Sequence, residues 1–117
     1  MAIYPYDFIS SYDGIALQSD SFVLMPFNTD FDDVFNSLKN ACNDPNILIK
    51  CVRADDFYSA GHIMEDILRG IVQSNFIIAD LTSKNPNVLY ELGIAHSCKK
   101  QNKVIIISQT IEDIPYD

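Results

Sequence analysis

Positive charge is scarce in this chain: 117 residues hold eight lysines and arginines against sixteen aspartates and glutamates, a formal net charge of −8. That sign is wrong for releasing counterions from a polyphosphate backbone, which argues against a nucleic-acid polymer or an anionic membrane as partner. A small anionic ligand stays open, because a helix N-terminus can hold a phosphate on a globally acidic protein. Cysteine is sparse too. Cys42, Cys51 and Cys98 are odd in number and lack paired metal-ligand spacing, so they imply neither a disulfide framework nor a zinc site and read as reduced packing residues. No apolar run is long enough to span a bilayer, and Met1 to Phe8 has no basic n-region, so a cytoplasmic protein is expected. Also missing are a serine-centred elbow, a Walker loop, a Gly-x-Gly-x-x-Gly fingerprint, internal repeats and low-complexity tracts.

What is present is enough apolar matter for one core: 48% of the residues are hydrophobic, which offsets the entropy of ordering a chain of this length. Four short apolar runs, Phe22-Val-Leu-Met25, Ile47-Leu-Ile-Lys-Cys-Val52, Phe76-Ile-Ile-Ala79 and Val104-Ile-Ile-Ile107, mostly lack alternation, as strands covered on both faces do. Three segments between them have helical spacing. The first places Phe31, Val34, Phe35, Leu38, Ala41 and Cys42 on one stripe, with Thr29 or Asp30 as cap. The second does so with Ala60, Ile63, Met64, Ile67, Leu68 and Ile71, capped by Asp56 or Ser59. The third runs from Pro86 to about Lys100, with Asn85 at its N-cap and Lys99 and Lys100 beside its C-terminal dipole.

This β-α-β-α-β-α-β alternation predicts an α/β domain, a flavodoxin-like (Rossmann-like) three-layer sandwich whose parallel strands near 22–26, 47–52, 75–80 and 103–108 take the order 2-1-3-4. Residues 1–20 show no clear period and read as an N-terminal arm or extra element ahead of a domain over 21–117. In such folds ligands sit outside the carboxyl ends of the strands, near the switch point between the first and third. The two apolar-rich ends, Ile3 to Phe8 and Ile111 to Tyr116, point to self-association as a homo-oligomer.

Glu91 is the anomaly. It falls three residues after Val88 and four before Ala95, within the apolar stripe those residues form with Leu92. A carboxylate there faces the core or a cleft and needs a hydrogen-bonding neighbour, a raised pKa or a solvated pocket. A glutamate bonded to a nearby loop would satisfy the same spacing. Asp80 and Thr82 follow the third strand at the sheet's carboxyl edge, where they either meet a ligand or bond loop amides. Gly93 and Ala95 are small enough to let the third helix approach the sheet. The loop Pro26-Phe27-Asn28-Thr29-Asp30 enters a helix N-terminus, and Phe27 could stack on a base or pack inward. Arg53 and Asp55 end the second strand, as an ion pair or as part of the same mouth, and His62 could titrate near neutrality.

The segment Asn75-Phe-Ile-Ile-Ala-Asp-Leu-Thr-Ser-Lys-Asn-Pro-Asn-Val-Leu-Tyr-Glu-Leu-Gly-Ile-Ala-His96 resembles the nucleoside 2-deoxyribosyltransferase family and its nucleoside 5′-monophosphate N-glycosidase relatives. More distantly it is similar to TIR-type domains that cleave NAD. Met25-Pro26-Phe27 is similar to that family's opening strand and loop, and the likeness covers roughly residues 21 to 110. It implies an N-glycosidic enzyme with Glu91 as nucleophile and with Asp66 or Glu65 assisting the leaving base. Asp80 and Asn87 would position the sugar, while Pro26, Phe27, Asn28, Thr82 and Tyr90 would add substrate contacts. No cofactor or metal is implied, and the partner is a small-molecule nucleoside, nucleotide or NAD-like compound. Where nucleotide-binding members have a glycine-rich first loop, this chain has Asn28-Thr29-Asp30. The alternative is a non-catalytic nucleotide-sensing or TIR-like interaction module in signalling or defence.

Overall fold

The structure, a computed structural model, describes residues 1, 3, 4, 6, 7, 17–53 and 63–114; of residues 17–20 and 63 only the backbone is described. Strands β1 (Leu17–Leu24), β2 (Lys50–Arg53), β3 (Ser74–Asp80) and β4 (Val104–Ile107) alternate with helices α1 (Asp32–Cys42), α2 (Ile63–Gln73) and α3 (Pro86–Cys98). All three strand pairings are parallel and the order is β2-β1-β3-β4, the order the β-α alternation predicts.

Successive side chains of a strand point to opposite faces, and in β1 and β3 both sets are apolar. Phe22, Leu24, Ile77 and Ala79 pack with Ile67, Leu68 and Ile71 of α2 and with Val88, Leu92 and Ala95 of α3. Val23, Met25 and Ile78 join Cys51, Phe31 and Phe35 on the other face, under α1. Helices therefore cover both faces, two on one and one on the other. Phe22, Leu68, Ile71 and Ile77 lose all exposure, and each such burial contributes about 1.5–3 kcal/mol. The approach of α2 is closest at Gly70, where an added Cβ would lie 2.5 Å from the Phe22 ring. The glycine is what lets the helix backbone rest on that ring.

Several local expectations change. β1 begins at Leu17, before Phe22, with a register shift against β3 between Leu17 and Ser21. β2 begins at Lys50 because Ile47 and Leu48 belong to a turn: both donate backbone N–H bonds to the Asp44 carbonyl, and Leu48 takes a left-handed φ of 50°. Neither Thr29 nor Asp30 caps α1. Asn28 caps a short 3-10 turn over Thr29–Phe31 instead, its Oδ1 accepting the Asp30 N–H at 2.9 Å, and α1 continues from that turn. Within the α1 stripe Ala41 is exposed. Gly93 does not admit α3 to the sheet, since a Cβ there would meet nothing; the fully buried Ala95 does. Lys99 serves another helix's end: its Nζ donates to the Val72 carbonyl of α2 at 2.8 Å and to Ser74 O at 2.6 Å. Cys51 is buried but Cys98 is exposed, so packing accounts for only part of the cysteines. Asp55, Asp56, Ser59, Ala60 and His62 lie outside the described residues. Among the described residues no helix is long and apolar enough to cross a membrane.

Candidate functional site

At the carboxyl end of β1 a cleft of about 490 Å³ opens between the loop Pro26–Asn28, the first turns of α2 and the first half of α3. Met25, Pro26, Phe27, Met64, Ile67 and Val88 make its apolar wall, and Asn28, Asn85, Asn87 and Glu91 supply the polar groups. A mostly apolar hollow with a few convergent polar side chains is the usual form of a small-molecule site. Its position, where the chain leaves β1 for one face and β3 for the other, is the switch point of the sheet.

α3 is built to aim Glu91. The Asn85 Oδ1 accepts the N–H groups of Asn87 and Val88 at 2.9 and 3.2 Å, and Pro86 occupies the first turn, where its missing N–H costs nothing. Val88, Leu92 and Ala95 then lie in the core, which brings Glu91, on the same stripe, to the cleft with 7% of its surface exposed. Burial alone raises its carboxyl pKa from 4.5 to about 7, with no described hydrogen bond holding the charge. Its proton is therefore exchangeable near neutral pH.

Of the residues expected at the site, Pro26, Phe27, Asn28, Asn87 and Glu91 line the cleft. Asp80, Thr82, Asp66 and Tyr90 are not among its lining residues. Asp80 is 1% exposed, and its Oδ1 accepts the Thr82 N–H at 2.9 Å, closing its own loop. Thr82 turns toward the segment after β4, its Oγ1 accepting the Gln109 N–H at 3.0 Å. Ser83 N–H donates to Asp113 at 2.8 Å in the same direction. Asp66 is buried on α2, and Tyr90 stands half-exposed on α3. Arg53 is an ion-pair residue: its Nη2 lies 3.0 Å from Asp32 Oδ1, and its guanidinium covers the Phe35 ring at 4.2 Å. A second hollow of about 520 Å³ runs along β2, lined by Lys39, Asn40, Asn43, Lys50 and neighbouring apolar residues, with no carboxylate.

Sequence reasoning missed the methionines Met25 and Met64, and it missed Tyr4. Tyr4, near the N-terminus, is close enough to Tyr90 and Glu91 for both to affect its hydroxyl. Its pKa is raised first by partial burial, then by Tyr90 and Glu91. The tyrosine-rich composition of residues 1–20 was the one available signal, and it carried no periodicity to say where a given ring would land.

No family model, curated protein or solved structure matches the chain. The fold and site define a class all the same: a three-layer α/β domain with a parallel 2-1-3-4 sheet and a buried carboxylate in its switch-point cleft. Among the described residues no cluster of histidine, cysteine or carboxylate side chains is arranged to hold a metal ion.

Proposed function

We propose that the cleft is an N-glycosidic site for an uncharged nucleoside, with Glu91 as nucleophile. The observation that carries this reading is a nearly buried carboxylate set among apolar and carboxamide groups at the switch point. The likeness of the Tyr-Glu-Leu-Gly segment to the nucleoside 2-deoxyribosyltransferase family supports it. Charge narrows the ligand. All eight lysines and arginines of the chain fall within the described residues, and none lines the cleft. The amides that could bind a phosphate at the start of α3 are already taken by the Asn85 side chain. A neutral nucleoside suits these walls better than a nucleotide or NAD.

In this mechanism the ionised Glu91 attacks the anomeric carbon as the bond to the base breaks, and the bonding pair leaves with the base, which takes a proton from water. The resulting glycosyl ester is resolved by water or by a second base, as for retaining glycosidases. Asn28, whose oxygen is engaged, has its amide nitrogen left to offer. Asn87 sits one turn before Glu91, within reach of a sugar hydroxyl, and Phe27 provides a half-exposed ring for the base.

A second reading keeps the pocket without turnover, as a nucleoside-sensing or TIR-like interaction module. It is favoured by the absence of a second carboxylate from the described lining, since Asp66 and Asp80 both lie elsewhere. One experiment separates the two. Free base is measured after incubation with the four ribonucleosides, their 2′-deoxy forms, their 5′-monophosphates and NAD, using the wild-type chain and Glu91→Gln. Catalysis predicts base release from a nucleoside that falls by about two orders of magnitude or more in the variant. A large loss of stability in Glu91→Gln, with activity per folded molecule intact, would overturn the catalytic assignment.

A further inference from the structure

Two of the three cysteines meet beneath the last turn of α1. Cys42 ends that helix and Cys51 is the second residue of β2, and the chain between them doubles back, the Ile49 N–H donating to the Cys42 carbonyl at 2.8 Å. Ser21 of β1 marks the meeting point. It pairs in register with Cys51, so both side chains stand on the face of the sheet that α1 covers. Its buried hydroxyl lies 3.8 Å from Cys42 Sγ and donates at 3.4 Å to the Lys50 carbonyl, on the peptide that leads into Cys51. Cys51 belongs to the apolar cluster on this face, and Cys42 packs against that cluster. Cys51 also lines the hollow of about 520 Å³ along β2, whose described lining carries Lys39 and Lys50 and no carboxylate. A small reagent, and an anionic one by preference, can therefore reach the sulfur.

We propose that Cys42 and Cys51 are a dithiol site that closes reversibly to a disulfide, with a small anionic disulfide entering by the hollow along β2 as its oxidant. The Cys51 thiolate attacks one sulfur of the small disulfide, whose S–S bond breaks, and the first leaving thiolate takes up a proton. Cys42 then loses its proton and attacks the Cys51 sulfur, expelling the second small thiolate, which is protonated in turn. Two protein thiols give up two protons and two electrons, and the small disulfide leaves as two thiols. The same exchange run backwards reopens the pair. Burial pushes the Cys51 thiol up to about 11, a hydrogen bond with Ser21 lowers it, and the Cys42 thiol raises it again. The pair is therefore slow to react at neutral pH and gains speed as pH rises. This site stands apart from the cleft at Glu91 and does not rest on the N-glycosidic reading.

The test incubates the full, reduced, folded chain with glutathione disulfide, quenches it in acid, and reads intact mass and the number of maleimide-reactive thiols after unfolding. The chain should lose the mass of two hydrogens and keep one reactive thiol of its three, and dithiothreitol should restore all three. Cys98→Ser should lose both of its remaining thiols. Cys42→Ser should stop at a mixed disulfide of glutathione with Cys51. The rate should be proportional to glutathione disulfide and rise about tenfold per pH unit through pH 9, where an ordinary thiol has begun to level off. Lys39→Gln combined with Lys50→Gln should slow it about 10-fold. Wild-type chain that holds glutathione on Cys51 without closing, or that closes through Cys98, would overturn the proposal. So would a rate independent of glutathione disulfide, which would place the reaction in the unfolded chain, and so would thiols that never react. An unchanged rate in the lysine variant would overturn the hollow as the way in.

Discussion

The carboxamide oxygen of Asn85 bonds the backbone N–H of Val88 at 3.2 Å, and by that bond the first turn of α3 is fixed one turn ahead of Glu91. The same oxygen holds the Asn87 N–H at 2.9 Å, so one side chain both caps the helix and occupies amides that would otherwise attract an anion. Asn85→Ala is expected to cost about 1 kcal/mol of stability, the usual value of an N-cap. The freed amides should also make the cleft more tolerant of a 5′-phosphate. Chemical denaturation and the ratio of nucleoside to monophosphate turnover check the two effects, and a variant as stable as wild type would contradict the cap.

Glu91 gives opposite pH dependences to stability and to activity. Its pKa is about 7 when folded and near the ordinary 4.5 when unfolded, so between these values the folded chain holds a proton that the unfolded chain has released. The contribution of this residue to stability is complete below the lower value and is lost as pH rises through the upper one. The loss is on the order of 3 kcal/mol. Urea unfolding of wild type and Glu91→Gln at pH 5 and pH 8 isolates it: the variant should gain on wild type at the higher pH, and an equal difference at both would exclude it. Base release, which needs the carboxylate, should weaken as pH falls below about 7.

Two glycines should respond to alanine with opposite signs. Gly93→Ala adds a methyl where nothing lies within 4 Å and removes a poor helix former from the interior of α3, a gain of about 0.5–1 kcal/mol. Gly70→Ala drives a Cβ to 2.5 Å from the Phe22 ring and should cost about 1–3 kcal/mol by overpacking. Thermal unfolding of both variants decides, and the same sign in both would mean that α2 and α3 face the sheet differently from the description above.

Leu48 combines two penalties, a left-handed φ of 50° and 67% exposure of an apolar side chain. Leu48→Gly relieves the backbone and should stabilise the chain by about 1 kcal/mol. A melting temperature that falls would show that the leucine is covered in solution.

Topology was legible because every strand but the second contains an unbroken apolar run and every helix repeats apolar residues at steps of three and four. The second run misled at its start. Ile47 and Leu48 are as apolar as a strand, yet the turn after α1 needs two residues before the chain can extend, and composition cannot tell one use from the other. Glu91 was legible for a geometric reason, since a helix stripe fixes which side faces inward. Asp80 and Thr82 were not. The end of a strand says where a side chain starts and not which way it turns, and here both turn to their own loop and to the segment after β4.

The contact between Gly70 and Phe22 bears on how many bases the cleft can accept. With its backbone seated on an aromatic ring, α2 has no slack to retreat from a larger purine or to follow a smaller pyrimidine. Adjustment is left to the side chains of the wall, and two of these, Met25 and Met64, are unbranched thioethers with several rotamers to choose from. Breadth of base choice should therefore depend on methionine flexibility against a rigid frame: replacing Met64 with isoleucine would narrow the range of bases without moving the helix that carries it.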